Sequence, residues 1–108
     1  MAIQVIIKRK VKQGRQAKEL VPLILQMRVR AMDQPGYISG ETLCDIEQPG
    51  ECLVISRWET AEDWNRWATS QERARMEGKI ETLTGIKSEY HIYSPMVPRT
   101  IAEKATRR

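Results

Sequence analysis

From Ile3 to Val11 the chain reads IQVIIKRKV, a partly alternating run rich in Ile and Val, and this predicts a first strand that Gly14 ends. Between Gln16 and Asp33 the apolar residues Ala17, Leu20, Val21, Ile24, Met27 and Ala31 recur every three or four positions, so they share one face of a helix. Pro22 falls inside that run, where it removes one backbone hydrogen bond, and it predicts a kink or a late helix start. Gln34-Pro35-Gly36 then stops the helix. YISGETLCDI, residues 37–46, and ECLVISRW, residues 51–58, flank Gln48-Pro49-Gly50 and read as a hairpin. Thr60 with Asp63 has the T-x-x-D spacing of a helix cap, and Ser70 with Glu72 marks a second start. Met76, Ile80 and Leu83 give that second helix an apolar face, Gly85 closes it, and IKSEYHIY, residues 86–93, alternates as a fourth strand.

The order strand, helix, strand, strand, helix pair, strand is a split βαββαβ. It predicts an α+β fold of ferredoxin-like plan, with an antiparallel four-stranded sheet and helices on one face. Strand three offers Leu53 and Ile55 to one side and Cys52, Val54 and Trp58 to the other, and strand one has Ile6 opposite Ile3, Val5 and Ile7. A sheet covered on one side only leaves one of those sets in water, so the pattern predicts a homodimer packed sheet to sheet. Residues 1–94 make one domain and residues 95–108 a basic tail, in which Thr100 and Glu103 frame a short turn or belong to a mobile end.

Composition narrows the class without changing this plan. Among 108 residues, 41% are apolar and 30% charged, which suits one soluble globular domain and not a disordered chain. No stretch approaches the length of a membrane span, and in MAIQVIIKRK the charges follow the apolar run, which argues against a signal peptide. A cytoplasmic protein with no membrane partner is expected. The net charge of +4 is gathered at two basic ends, Lys8 to Lys18 and Arg99 to Arg108. These read as solvated faces, and the absence of aromatic residues at the centres of strands one and three argues against nucleic acid. Cys44 and Cys52 flank the hairpin turn with no CxxC and no nearby histidine, so two free thiols are expected and no metal site.

Trp58, Trp64 and Trp67 are all the tryptophans of a chain without phenylalanine. On a helical wheel Trp64 is central to the buried face, Trp67 lies at its boundary where an indole can line a groove, and Trp58 ends strand three facing the dimer partner. Together PGYISGETL, QPGECLVISRWETAEDWNRWATSQERARM and the closing EYHIY resemble the antibiotic biosynthesis monooxygenase family of dimeric α+β barrel proteins, over residues 2–93. The shared elements are a Pro-Gly before strand two, a strand ending in Trp ahead of a capped acidic helix, and W-x-x-S at Trp67 to Ser70.

The resemblance implies a dimer with an apolar pocket between sheet and helices in each subunit. It also implies monooxygenation of a small aromatic phenol or quinol with no metal, flavin or other cofactor. Trp67 is then the pocket wall and Tyr93 a second substrate-binding group, with Asn65 and His91 as catalytic polar groups. His91, as the single histidine, is the base expected to work near neutrality. The chain also resembles the haem-degrading branch, which carries a histidine ten residues after the Trp and an Asn on strand one; here those places hold Glu77 and Ile7 or Lys8. The alternatives are a non-catalytic dimer that binds a small molecule, and a haem protein ligated by His91.

Overall fold

Alternation in the first strand decides which side of the sheet is covered. In the computed structural model, which describes residues 2–11, 15–48 and 50–96, β1 (Ile3–Lys10) buries Ile3, Val5, Ile7 and Arg9 and exposes Gln4, Lys8 and Lys10. β3 (Glu51–Trp58) runs antiparallel to β1 with Ile3 opposite Trp58, Val5 opposite Ser56 and Ile7 opposite Val54, so those three residues join the covered side. β2 (Tyr37–Cys44) pairs with the far edge of β3 and β4 (Glu89–Tyr93) with the far edge of β1, giving the order β2-β3-β1-β4. This is the expected α+β, ferredoxin-like split βαββαβ.

The helices supply the other half of the core. α1 (Arg15–Met32) places Leu20, Met27 and Ala31 against the sheet, α2 (Ala61–Ala68) adds Trp64 and Trp67, and α3 (Gln71–Thr84) adds Ile80. α1 runs through Pro22 without a break or a late start; the proline is exposed, so the carbonyl it leaves without a backbone donor faces the solvent side of the helix. Both later helices start where their caps stand. The Thr60 hydroxyl accepts from the Asp63 amide at 3.0 Å, and the Ser70 hydroxyl accepts from the Arg73 amide at 3.2 Å. Gly85 closes α3 at φ 71, a left-handed conformation that glycine adopts without a Cβ clash.

Three further expectations change. Cys44 and Cys52 are not free: they stand directly opposite each other across the β2–β3 hairpin and form a disulfide, a juxtaposition set by pairing register, which turn composition alone does not reveal. Trp58 does not face a partner. Its pairing with Ile3 turns it toward the helices, where it is fully buried and its Nε1 donates to the Ser56 hydroxyl at 3.0 Å. Strands two and four are also shorter than their sequence patterns: the Asp45 carboxylate accepts from the amides of Glu47 and Gln48 and turns the chain just after β2, and β4 begins only at Glu89. Most of the basic tail, with Thr100 and Glu103, lies outside the described residues.

On the uncovered side of the sheet Ile6, Leu53 and Ile55 are half-buried, and Leu43 and Tyr93 are more than 45% exposed. Among the described residues no helix is long and apolar enough to cross a membrane.

Gly36 ties the end of α1 to the start of α2. Its φ is +86, its carbonyl accepts from the Glu59 amide at 2.7 Å, and a Cβ there would overlap the Asp63 carboxylate. Gly36→Ala is therefore expected to lower unfolding free energy in urea by more than about 1 kcal/mol. An unchanged denaturation midpoint would show that this junction is not tight.

Candidate functional site

The W-x-x-S segment is where local structure builds the site. Ser70 sits between two helices, and its hydroxyl donates to the Trp67 carbonyl at 2.7 Å while accepting from the Arg73 amide. One side chain therefore ends α2, starts α3, and sets Trp67 and Arg73 relative to each other. Trp67 is only 3% exposed, as buried as Trp64. The wheel of an isolated helix put it at a boundary; in the fold it belongs to the core cluster, with Met27 and Ala31 of α1 lining the same cavity.

Both indoles wall a cavity of about 50 Å³ between the sheet and the helices. Ile7 and Val54 form its floor, and Met27 and Ala31 of α1 face the indoles. At its mouth the Arg28 guanidinium donates to the Gly40 carbonyl at 2.7 Å and straps α1 to β2. Tyr37, Trp58 and Trp64 follow one another in edge-to-face contacts with ring centroids 5.4 and 5.7 Å apart, which holds the indole side of the cavity rigid.

The inner end of the cavity is charged. Arg9 of β1 grips Glu77 of α3 with two parallel bonds, Nη1 to Oε2 at 2.8 Å and Nη2 to Oε1 at 2.9 Å. Its Nη1 also donates to the Ser88 hydroxyl at 2.8 Å, and its Nη2 lies 3.6 Å from the Met27 sulfur. Arg73 stands on the other side of the carboxylate, 3.4 Å from Oε1, and donates to the Tyr90 hydroxyl at 2.9 Å. Tyr90 in turn donates to Glu77 Oε1 at 2.9 Å. Burial alone would push the Glu77 carboxyl up. The hydrogen bond and charge of Arg9, then the charge of Arg73 and the Tyr90 hydroxyl, outweigh it and hold the group below its ordinary value. Tyr90 moves the other way: burial pushes its hydroxyl up, and the Arg73 charge opposes this without cancelling it, so the phenol stays a neutral donor.

Of the four residues expected to form the site, Trp67 alone lines this cavity. Asn65 is exposed on α2. His91 and Tyr93 pair with Ile6 and Gln4 and so point to the uncovered side of the sheet, where their rings stack with centroids 6.3 Å apart. His91 Nε2 comes within 3.2 Å of Glu89 Oε1, but the angle makes no hydrogen bond and the nitrogen is buried without a partner. The residue of β4 that does reach the site is Tyr90, opposite Ile7. Arg9, Arg73, Glu77 and Tyr90 escaped the sequence reading, although a signal existed. Arg9 keeps phase with Ile3, Val5 and Ile7, and Arg73 and Glu77 keep the helical phase of Ile80. Among the described residues no three His, Cys, Asp or Glu side chains are grouped closely enough to hold a metal ion.

Comparison with known proteins places this arrangement. Residues 2–78 match the family model described as antibiotic biosynthesis monooxygenase. Protein SchA of Streptomyces halstedii is 30% identical over 103 residues, which is 95% of this chain and 26% of SchA, so the chain spans about a quarter of that relative's length. A conserved protein of Methanosarcina mazei Go1 superposes with a TM-score of 0.81 at 18% identity, covering 89% of this chain and 94% of that one. SnoaB of Streptomyces nogalater, a cofactor-independent oxygenase, superposes at 0.77 with 14% identity over 89% of this chain and 94% of its own. At such identities the structural likeness speaks for the fold.

Glu77→Gln leaves two buried guanidiniums without their carboxylate, and a loss of about 3–5 kcal/mol in unfolding free energy is expected. Because the folded carboxyl is held low, its contribution is present above the ordinary value of 4.5 and is lost as pH falls from there through the lowered folded value. Melting temperature measured against pH should therefore drop on the acid side in the parent protein and drop less steeply in Glu77→Gln; equal slopes would show that the pair does not hold the carboxyl low.

Proposed function

The chain belongs to the antibiotic biosynthesis monooxygenase family, and we propose that it inserts oxygen from O₂ into a small aromatic phenol or quinol without a metal, flavin or other cofactor. The observation that carries this reading is the apolar cavity walled by Trp64 and Trp67 at the meeting of sheet and helices. A cofactor-free oxygenation asks the protein for three things: a flat surface to orient the ring, space from which water is excluded, and conditions in which the ring loses a proton so that its electrons pass to oxygen. Indole faces supply the first and the aliphatic floor the second. SnoaB, itself described as a cofactor-independent oxygenase, supports the same reading through its likeness of fold.

Size sets a condition on entry. A benzene-sized guest occupies an apolar cavity of about 150 Å³, and the present one is about 50 Å³. A substrate ring therefore widens the mouth, and the element that gives is the exposed Arg28 strap onto Gly40.

Asn65, His91 and Tyr93 lie away from the cavity, so the proposal rests on Trp67. We propose further that the uncovered sheet face, with Ile6, Leu53 and Ile55 and the stacked His91 and Tyr93, packs against the same face of a second copy. The haem reading finds no support in this geometry. Glu77 stands at the place of the branch's histidine, clamped by arginine, and His91 lies across the sheet from the cavity.

An oxygen electrode with a panel of electron-rich phenols and quinols should record consumption by the parent protein. Trp67→Phe, which keeps the core filled but narrows the wall, should cut kcat/KM by about tenfold or more. A flat trace for every substrate would leave a binding module and sink the oxygenase reading. Light scattering at micromolar concentration should give twice the chain mass, falling to one chain in Ile55→Glu; a parent monomer would refute the sheet-to-sheet dimer.

A further inference from the structure

Four apolar residues on the outer side of α1 stand in water. Val21, Leu25, Val29 and Met32 are between 53% and 59% exposed. At about 100° per residue they fall within about 80° of one another, turned away from the face on which Leu20, Met27 and Ala31 are buried. Single exposed aliphatics are ordinary, but a stripe running along most of a helix is not. Helix propensity does not account for it either, because valine is a mediocre helix former and gains little there unless it is covered.

The stripe borders a groove between α1 and α3. Pro22, Leu25 and Val29 of α1 and Met76 of α3 give it an apolar lining, and Arg30, Glu72, Arg75 and Lys79 form its rim. Arg30 and Glu72 close one end with an ion pair of 3.2 Å, whereas Arg75 and Lys79 have no acidic partner among the described residues. Past Lys79 the groove continues between Glu19 and Leu23 of α1 and Gly78 and Thr82 of α3. Gly78 is helical, and no other part of the chain comes within 4 Å of where its Cβ would stand. Glycine there weakens the helix without easing any contact inside the chain, and it leaves room for a backbone to approach from outside. From Glu72 to Thr82 α3 rises about 15 Å, the length of about three turns of a second helix.

Charge limits what can lie there. A second copy using the same face would set Arg75 and Lys79 against their own copies, since a two-fold contact meets itself. The end of this chain brings Arg99, Lys104, Arg107 and Arg108 against a single Glu103, the same sign as the rim. A membrane takes up apolar groups that stand proud, often with aromatic residues, and this face is grooved and has neither tryptophan nor tyrosine on α1 or α3. Sheet-to-sheet pairing leaves the groove facing outward.

We propose that the groove between α1 and α3 docks an amphipathic helix of a partner protein, about three turns long, whose apolar stripe lies on Leu25, Val29 and Met76 and whose acidic flanks face Arg75 and Lys79. Apolar contact supplies the affinity of such a complex, and the two cations select the sign of the flanks. The inference is independent of the oxygenase reading, since α1 turns Met27 to the cavity and Val29 to the groove.

The probe is a fluorescein-labelled, stapled helical peptide with leucine at i, i+4 and i+7 and glutamate on both flanks, read by anisotropy against the full-length protein. Its controls are the same peptide with lysine flanks and one in which the leucines are scattered around the helix. At low salt the glutamate peptide should bind at least about tenfold tighter than either control, and the margin over the lysine peptide should shrink at high salt. In the Arg75→Glu, Lys79→Glu double variant the preference should reverse toward the lysine peptide, and Val29→Ser should weaken both. All three positions are exposed, and circular dichroism checks that the variants fold. No binding of the glutamate peptide at millimolar concentration, equal binding of both charge forms, or a preference that survives the double variant would overturn the proposal. Cosedimentation with anionic vesicles that Val29→Ser abolishes would assign the face to a membrane, and a fall in solution mass in Val29→Ser would assign it to a second copy; either result would overturn it too.

Discussion

The structure turns on one ion pair that joins its two layers. Arg9 projects from β1, a middle strand of the sheet, and Glu77 from α3, and their parallel hydrogen bonds cross the space beside the apolar and aromatic core. A fork of this kind fixes direction as well as distance, since both nitrogens and both oxygens must align. It therefore sets the height and rotation of α3 over β1 in a way that Ile80 packing alone does not. Everything that meets the cavity from α3 inherits that placement, Arg73 one turn earlier above all.

Aromatic residues then build outward from the pair. Arg73 lies beside both Trp64 and Tyr90, whose rings are neighbours, Trp64 touches Trp58, and Trp58 touches Tyr37 at the start of β2. The chain of rings spans the sheet from β4 to β2 and replaces the phenylalanine that this protein lacks. Rings in edge contact resist sliding more than aliphatic groups do, because their preferred geometries are few. The indole wall is accordingly stiff, and the softer side of the cavity is the one where α1 meets β2 through an exposed arginine.

Much of the fold was legible because its signals are local. IQVIIKRKV alternates, Thr60 and Ser70 cap, and Gly85 closes a helix, each within a few residues. The site was less so, because its residues are placed by phase between elements. EYHIY offers Tyr90 and Ile92 to one face and His91 and Tyr93 to the other, and only the pairing of Tyr90 with Ile7 says which face looks toward the helices. The same ambiguity turned Trp58 inward and set Cys44 opposite Cys52. Arg9 sits in a run of basic residues and Arg73 and Glu77 at a spacing common on solvated helices. Charge suggested water, while phase put them in the core.

The hairpin of β2 and β3 carries two features that act against each other. Near its start the pairing skips Ile38, so that Ser39 stands opposite Arg57 and Gly40 turns to the covered side, where the Tyr37 ring closes over a position that has no room for a Cβ. A skip of one residue exchanges the two faces of everything beyond it, and strands that contain one are prone to pair in a second, shifted way. The Cys44–Cys52 bond removes that freedom at the opposite end. With one partner fixed covalently, the two strands cannot slide past each other, and β2 meets β3 in a single register beside the cavity. A bond remote from any chemistry thus acts as the index mark against which the opening is measured.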